Sequence, residues 1–180
     1  MAVARVAAPM WLAAGIFLIG LAPARAEPCP AGDAALGVSR TVEIDTAGGP
    51  KFGAQYPGSD FLQPGEVVLT FDDGPSRAKT PAILKALAAH CTKATFLIVG
   101  RMALIEPELL REVAHEGHTI GLHTWSHKKL SAISPDKAKE EIELGHSIVE
   151  KSLGQPVAPF FRFPYLSSSH AMLEYLGKRN

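Results

Sequence analysis

The chain has 180 residues, 47% of them hydrophobic and 20% charged, a composition that suits one globular domain and leaves too little chain for two. Its 18 Lys and Arg balance its 18 Asp and Glu. No basic surplus exists to draw nucleic acid or an anionic membrane surface, so neither is expected as a partner.

Residues 1–26 stand apart from the rest. They contain no acid, carry Arg5 near the start, run apolar from Trp11 to Leu21, and close on Ala24-Arg25-Ala26. That is the anatomy of a secretory signal peptide with a small-x-small cleavage site. An uncleaved anchor needs about 20 apolar residues, and Pro9, Pro23 and the Ala-x-Ala site speak against one. The expected destination is periplasmic or secreted, with no stable membrane insertion after cleavage. Export would place Cys29 and Cys91 in an oxidising compartment. Either they pair and tie the N-terminal tail to the domain, or they are two unrelated thiols.

Residues 27–65 are rich in Gly, Pro and small polar residues and read as an irregular N-terminal extension, with turns at Gly48-Gly49-Pro50, Pro57-Gly58-Ser59 and Pro64-Gly65. One alternating run, Thr41 to Asp45, could form a short strand. From residue 66 to 180 the texture becomes regular. An apolar strand is expected over 67–71, then a helix over 81–89 with Thr80 as N-cap and Pro81 in its first position. A second strand over 93–99 stops at Gly100, and a helix over 107–114 ends before Gly117. A third strand follows over 118–122. Ser134-Pro135-Asp136 starts a long helix that runs to about Leu153 and closes on Gly154. A fourth strand covers 160–163, and a last helix begins at Ser169. Strands that alternate with helices, each strand a continuous apolar run, indicate an α/β fold with a parallel sheet.

In such folds active sites gather at the carboxyl ends of the strands. The first strand ends in Asp72-Asp73, the third runs into His123-Thr124-Trp125-Ser126-His127, and the fourth carries Arg162 and breaks at Pro164-Tyr165. Each alone has a plain explanation: Asp-Gly-Pro makes turns, a His pair four apart arises by chance, and an arginine forms surface ion pairs. Together on one rim they offer two imidazoles and a carboxylate, a catalytic zinc ligand set that leaves a position for water. The second acid could then take a proton from that water, held by Arg162 through a charge-assisted bond. His118, at the start of its strand, reads as structural. His90, His115, His146 and His170 lie on or beside helix ends and read as solvated.

The strings Thr70-Phe71-Asp72-Asp73-Gly74-Pro75, His123-Thr124-Trp125-Ser126-His127 and Arg162-Phe163-Pro164-Tyr165 resemble the first three motifs of the polysaccharide deacetylase family, the NodB-homology or carbohydrate esterase family 4 group. Lys93-Ala94-Thr95-Phe96 and Gly117 to Gly121 resemble it too. The resemblance implies a distorted (β/α) barrel that binds a divalent metal, usually zinc. It implies removal of acetyl groups from N-acetylglucosamine oligo- or polysaccharides of the chitooligosaccharide type, with peptidoglycan or acetylxylan as other substrates. By motif, Asp72 would be the base and Asp73, His123 and His127 the metal ligands. Arg162 would orient Asp72, and the Tyr165 backbone N–H would stabilise the oxyanion. Thr124 and Ser126 would shape the loop. The family's later motifs, an Asp/Trp segment and a Leu-x-His whose histidine acts as general acid, have no counterpart before Asn180. The expectation is therefore the N-terminal part of such a barrel, not closed in this chain, and a C-terminally truncated deacetylase or a non-catalytic remnant of one.

Overall fold

The computed structural model describes residues 29–52, 56 and 61–179; the signal-peptide reading of residues 1–26 lies outside the described residues. Three parallel strands form an open sheet in the order β1 (Thr70–Asp72), β2 (Thr95–Ile98) and β3 (Thr119–Leu122). Between β1 and β2 runs α1 (Thr80–Ala89); between β2 and β3 run α2 (Gly100–Ile105) and α3 (Pro107–His115). The long helix α4 (Pro135–Leu153) follows β3, and α5 (His170–Arg179) ends the described chain. Phe71, Phe96 and Ile120 fall in one row across the sheet, and Asp72, Leu97 and Gly121 in the next. The strand ends therefore share one rim.

The core lies where α1, α3 and α4 cover the sheet, around Phe96, Ile98, Leu110, Val113, Ile120 and Val149. A second cluster of Leu130, Ala138, Ile142 and Met172 joins α4 to α5. The helix ends follow local chemistry. The Ser134 hydroxyl accepts the Lys137 N–H at the start of α4, and Gly154 closes it with φ 80°, a left-handed conformation suited to glycine.

Four expectations need correction. The strand expected over 67–71 begins only at Thr70, because β2 offers no residue opposite Val67 and Val68, which are 79% and 49% exposed. Thr80 is not an N-cap; it is the first residue of α1, and its hydroxyl accepts the Ser76 N–H at 2.9 Å. Thr41 to Asp45 forms no strand, having no ladder partner among the described residues. The fourth strand shrinks to one parallel bridge, Leu122 to Phe161, since Pro159 and Pro164 bracket it and cannot donate to a ladder.

Cys29 and Cys91 form a disulfide. It fastens the extension to the end of α1, where Ala31 N–H also donates to Ala89 O at 3.0 Å and Gly37 N–H to His90 O at 2.9 Å. Further along, the Gly48-Gly49 turn packs against Gly177 of α5. The extension is thus pinned at two places on the domain.

Candidate metal centre

β1 ends on Asp72, and the next residue, Asp73, turns into the left-handed region at φ 70°. Alternation along a strand would send the two carboxylates to opposite faces. The left-handed turn at Asp73 breaks that alternation and brings both onto the rim. The 123–128 segment leaves β3 as a loop, not a helical turn. The carbonyls of Thr124 and Trp125 accept the N–H groups of Gly100 and Arg101 at 2.9 and 3.0 Å. Those two amides open α2 and would otherwise lack partners. With its carbonyls claimed, the segment cannot coil, and Thr124 and His127 take φ 68° and 59°.

That geometry still brings the two imidazoles together. His127 Nε2 lies 3.2 Å and His123 Nε2 3.5 Å from the same oxygen, Asp73 Oδ1. Donor atoms of Asp73, His123 and His127 all lie within 4.8 Å of one another, and no other such group occurs among the described residues. His123 is almost fully buried, and its Nδ1 lies 2.8 Å from the carbonyl of Arg162. Nδ1–H donates in that bond, which fixes the tautomer and turns the Nε2 lone pair toward Asp73. Burial holds the His123 ring below the usual histidine range, against the opposing pull of the Arg162 bond and the charge of Asp72. A neutral imidazole is the form that ligates. One carboxylate and two oriented imidazoles are a donor set that fits a divalent ion, with Asp73, 69% exposed on its side chain, leaving the centre open to solvent.

The other expected residues stand beside this group. Arg162 Nη1 donates to Asp72 Oδ1 at 2.7 Å and to Thr70 Oγ1 at 3.0 Å. Thr124 Oγ1 accepts the His127 N–H at 3.0 Å, a loop-shaping contact. Tyr165 packs edge-on against the His127 ring at 4.8 Å. Asp72, Asp73, His123, His127, Phe163, Tyr165 and Leu166 line an open hollow of about 260 Å³. A hollow of about 320 Å³ lies beside Trp125 and α4, but the metal-type donors converge only in the smaller one.

The backbone marks the same place. Six described non-glycine residues have positive φ, and five of them, Asp73, Thr124, His127, Tyr165 and Leu166, border this hollow or its loop. Each such conformation costs about 1–3 kcal/mol and persists where surrounding contacts over-determine it, a situation common at functional sites.

Glu141 is the residue that the sequence reading passes over. It lies on α4, is 5% exposed, and bonds the histidine loop through Ser126. The available signal was positional: Glu141 falls on the apolar stripe of Ala138, Ile142 and Val149, where a charge is out of place.

The model of the family described as polysaccharide deacetylase matches residues 62–179. A peptidoglycan-N-acetylglucosamine deacetylase of Bacillus cereus is 39% identical over 116 residues, covering 64% of this chain and 42% of that protein. A chitooligosaccharide deacetylase of Azorhizobium caulinodans is 37% identical over 116 residues, covering 62% and 53%. Among solved structures, the peptidoglycan deacetylase PdaC from Bacillus subtilis superposes with a TM-score of 0.59 at 33% identity, over 64% of this chain and 58% of that one. A family 4 acetyl xylan esterase from Clostridium thermocellum, solved with a cobalt ion, gives a TM-score of 0.55 at 34% identity, over 58% and 51%. The chain spans about half the length of the curated relatives it matches.

Proposed function

Because the chain belongs to the polysaccharide deacetylase family, we propose that it is a metal-dependent hydrolase that removes N-acetyl groups from N-acetylglucosamine-containing oligo- or polysaccharides. The observation that carries this reading is the Asp73–His123–His127 donor set with the arginine-held Asp72 beside it. Asp73, His123 and His127 would hold a divalent ion, zinc in this reading, which supplies Lewis acidity toward a carbonyl and toward water when bound. Asp72 is the base. Its Oδ1 is engaged by Arg162, so the second oxygen is the one that takes a proton from the attacking water. Arg162 fixes the orientation of that carboxylate through a charge-assisted bond. The backbone N–H of Tyr165, whose ring packs on that of His127, is the donor for the oxyanion that develops as the acetyl carbonyl is attacked. The proton gained by Asp72 is then available to the departing amine.

An acetylated glycan is the partner class that the named relatives support: chitooligosaccharide, peptidoglycan N-acetylglucosamine and acetyl xylan all appear among them. Chitooligosaccharide-type chains are the favoured substrate here. Export to the periplasm or outside the cell is part of the proposal; the signal-peptide anatomy and the Cys29–Cys91 disulfide support it. No helix among the described residues is long and apolar enough to cross a membrane.

The test is acetate release from chitooligosaccharides, peptidoglycan glycan fragments and acetylxylan, with metal content measured on the same preparation. Activity that Asp72→Asn lowers by about 10²- to 10⁴-fold, the usual weight of a general base, while metal content stays unchanged, is the expected result. Metal uptake with no acetate from any of the three would replace hydrolysis with a non-catalytic reading.

A further inference from the structure

Glu141 is a carboxylate on the buried face of α4, between Ala138 and Ile142. Burying a charge is costly unless hydrogen bonds and a countercharge compensate. Here the compensation comes from the loop that carries His127. Oε2 accepts the Ser126 N–H at 2.8 Å and Oε1 accepts the Ser126 hydroxyl at 2.7 Å. Lys128 Nζ lies 3.1 Å from Oε1. The backbone carbonyl of the same glutamate accepts the Trp125 N–H at 2.8 Å. One helical residue thus holds positions 125, 126 and 128 and brackets His127 on both sides.

That bracket falls where the backbone most needs one. Thr124 and His127, at φ 68° and 59°, sit in a region that β-branched and bulky residues rarely adopt. A flexible loop would relax out of it. Gly145, one turn further along the same face of α4, completes the seat. Its missing side chain lets Thr124 and Trp125 lie directly against the helix backbone.

Resting on the metal reading above, we propose that Glu141 is a positioning residue for the metal centre. It does not touch the ion. It locks the 124–128 loop so that the His127 ring already faces Asp73 and His123 before an ion arrives. Such outer contacts commonly carry a 10- to 100-fold share of metal affinity.

The test compares the full chain with Glu141→Gln by Co2+ titration, followed through the visible absorption of the bound ion, whose shape reports ligand number and geometry. Thermal melts of both without metal run alongside. Glutamine keeps the volume but turns one acceptor oxygen into an N–H₂ donor, which reverses the Ser126 hydroxyl bond and faces the Lys128 ammonium with a second donor. The expected result is an affinity loss of about 10- to 100-fold with an altered Co2+ spectrum. Ser126→Ala, which deletes only the hydroxyl bond, should shift both readouts the same way by less, and it carries the test if Glu141→Gln does not fold. A variant that melts lower but binds Co2+ with parental affinity and spectrum would overturn the proposal, leaving Glu141 a stabilising contact alone. A parent chain that takes up no Co2+ would overturn the metal reading and this proposal with it. A binding parent with indifferent variants would overturn only the role of Glu141.

Discussion

Gly145→Ala probes how closely α4 supports the histidine loop. A Cβ at this position would meet the Thr124 carbonyl carbon at 2.7 Å, the Trp125 nitrogen at 2.9 Å and the Thr124 oxygen at 3.0 Å. Comfortable heavy-atom contacts lie near 3.5–4.0 Å, so the helix and the loop would have to part by roughly half an ångström to one. In an exposed helix the same change would help by about 0.5–1 kcal/mol, through better helix propensity. Overpacking a close-packed site costs about 1–3 kcal/mol, and here the obstacle is backbone, which cannot swing aside as a side-chain tip can. Overpacking should therefore win by about 1–2 kcal/mol, a fall in Tm of roughly 2–8 °C for a chain of this size. Thr124 directly follows His123, and its hydroxyl holds the His127 N–H. The displacement should therefore reach both imidazoles and weaken Co2+ binding as well. Thermal or urea unfolding and the Co2+ titration read the two effects separately. A variant that melts above the parent and binds Co2+ unchanged would refute the close approach and the seating of the loop together.

Two further perturbations act away from the centre. His118 Nδ1 accepts the Ala94 N–H, and its buried Nε2 has no hydrogen-bond partner and lies 3.8 Å from a Glu116 carboxylate oxygen. Burial, helped by the charge of Lys93 and opposed by that of Glu116, pulls its pKa below the ordinary histidine value. Protonation therefore favours the unfolded chain. The stabilisation is complete above the unfolded value of about 6.5 and is lost as pH falls below it. Melting profiles from pH 8 to pH 5 should decline less steeply in His118→Asn, which keeps an acceptor for Ala94; parallel profiles would sink this account. The Cys29–Cys91 disulfide spans a sequence separation of 62, and chain entropy alone assigns such a loop about 4 kcal/mol. Reductant should accordingly lower the Tm by several degrees, and an unchanged melt would show that the extension contributes no constraint.

The strand-end chemistry is legible in the sequence because scarce residue types punctuate otherwise apolar runs. Thr95 to Ile98 and Thr119 to Leu122 are buried on both sides and read as such. Once the strands are recognised, Asp72, Asp73, His123, His127 and Arg162 can fall only at one end of the sheet. The errors come from pairing, which is not local. Val67 and Val68 have strand-forming side chains but no partner across from them. Residues 160–163 have a partner but are cut short by their prolines. α2 escapes notice because Gly100–Ile105 is too short to show a period, and it is stabilised by the carbonyls of Thr124 and Trp125, over twenty residues away in sequence. The histidine spacing suggests a helical turn, whereas the imidazoles meet through two left-handed residues in a loop. The pairing of the cysteines, left open by the sequence, follows from the extension lying along the end of α1.

The way Arg162 reaches Asp72 shows how far the centre depends on the sheet. The two residues are 90 apart in sequence, and the Arg162 guanidinium reaches β1 at both Thr70 and Asp72. Their relative position is set by register: Asp72 opposite Leu97, Leu97 opposite Gly121, and Leu122 bridged to Phe161. Ladder bonds fix the last step, Leu122 N–H to Phe160 O at 2.8 Å and Arg162 N–H to Leu122 O at 3.0 Å. Gly121 makes that step possible, because a Cβ there would lie 2.8 Å from Phe160 O and 2.6 Å from Leu97 Cδ2. The close approach places the Arg162 carbonyl against His123 Nδ1 while its guanidinium reaches Asp72. A single residue therefore orients one imidazole with its backbone and the Asp72 carboxylate with its side chain. Any slip of the 160–162 segment would disturb both at once, since a one-residue change of register turns every side chain to the other face. On the proposed reading, metal binding and proton transfer are coupled through the backbone of the sheet, and side-chain substitution at Arg162, which leaves its carbonyl in place, separates them.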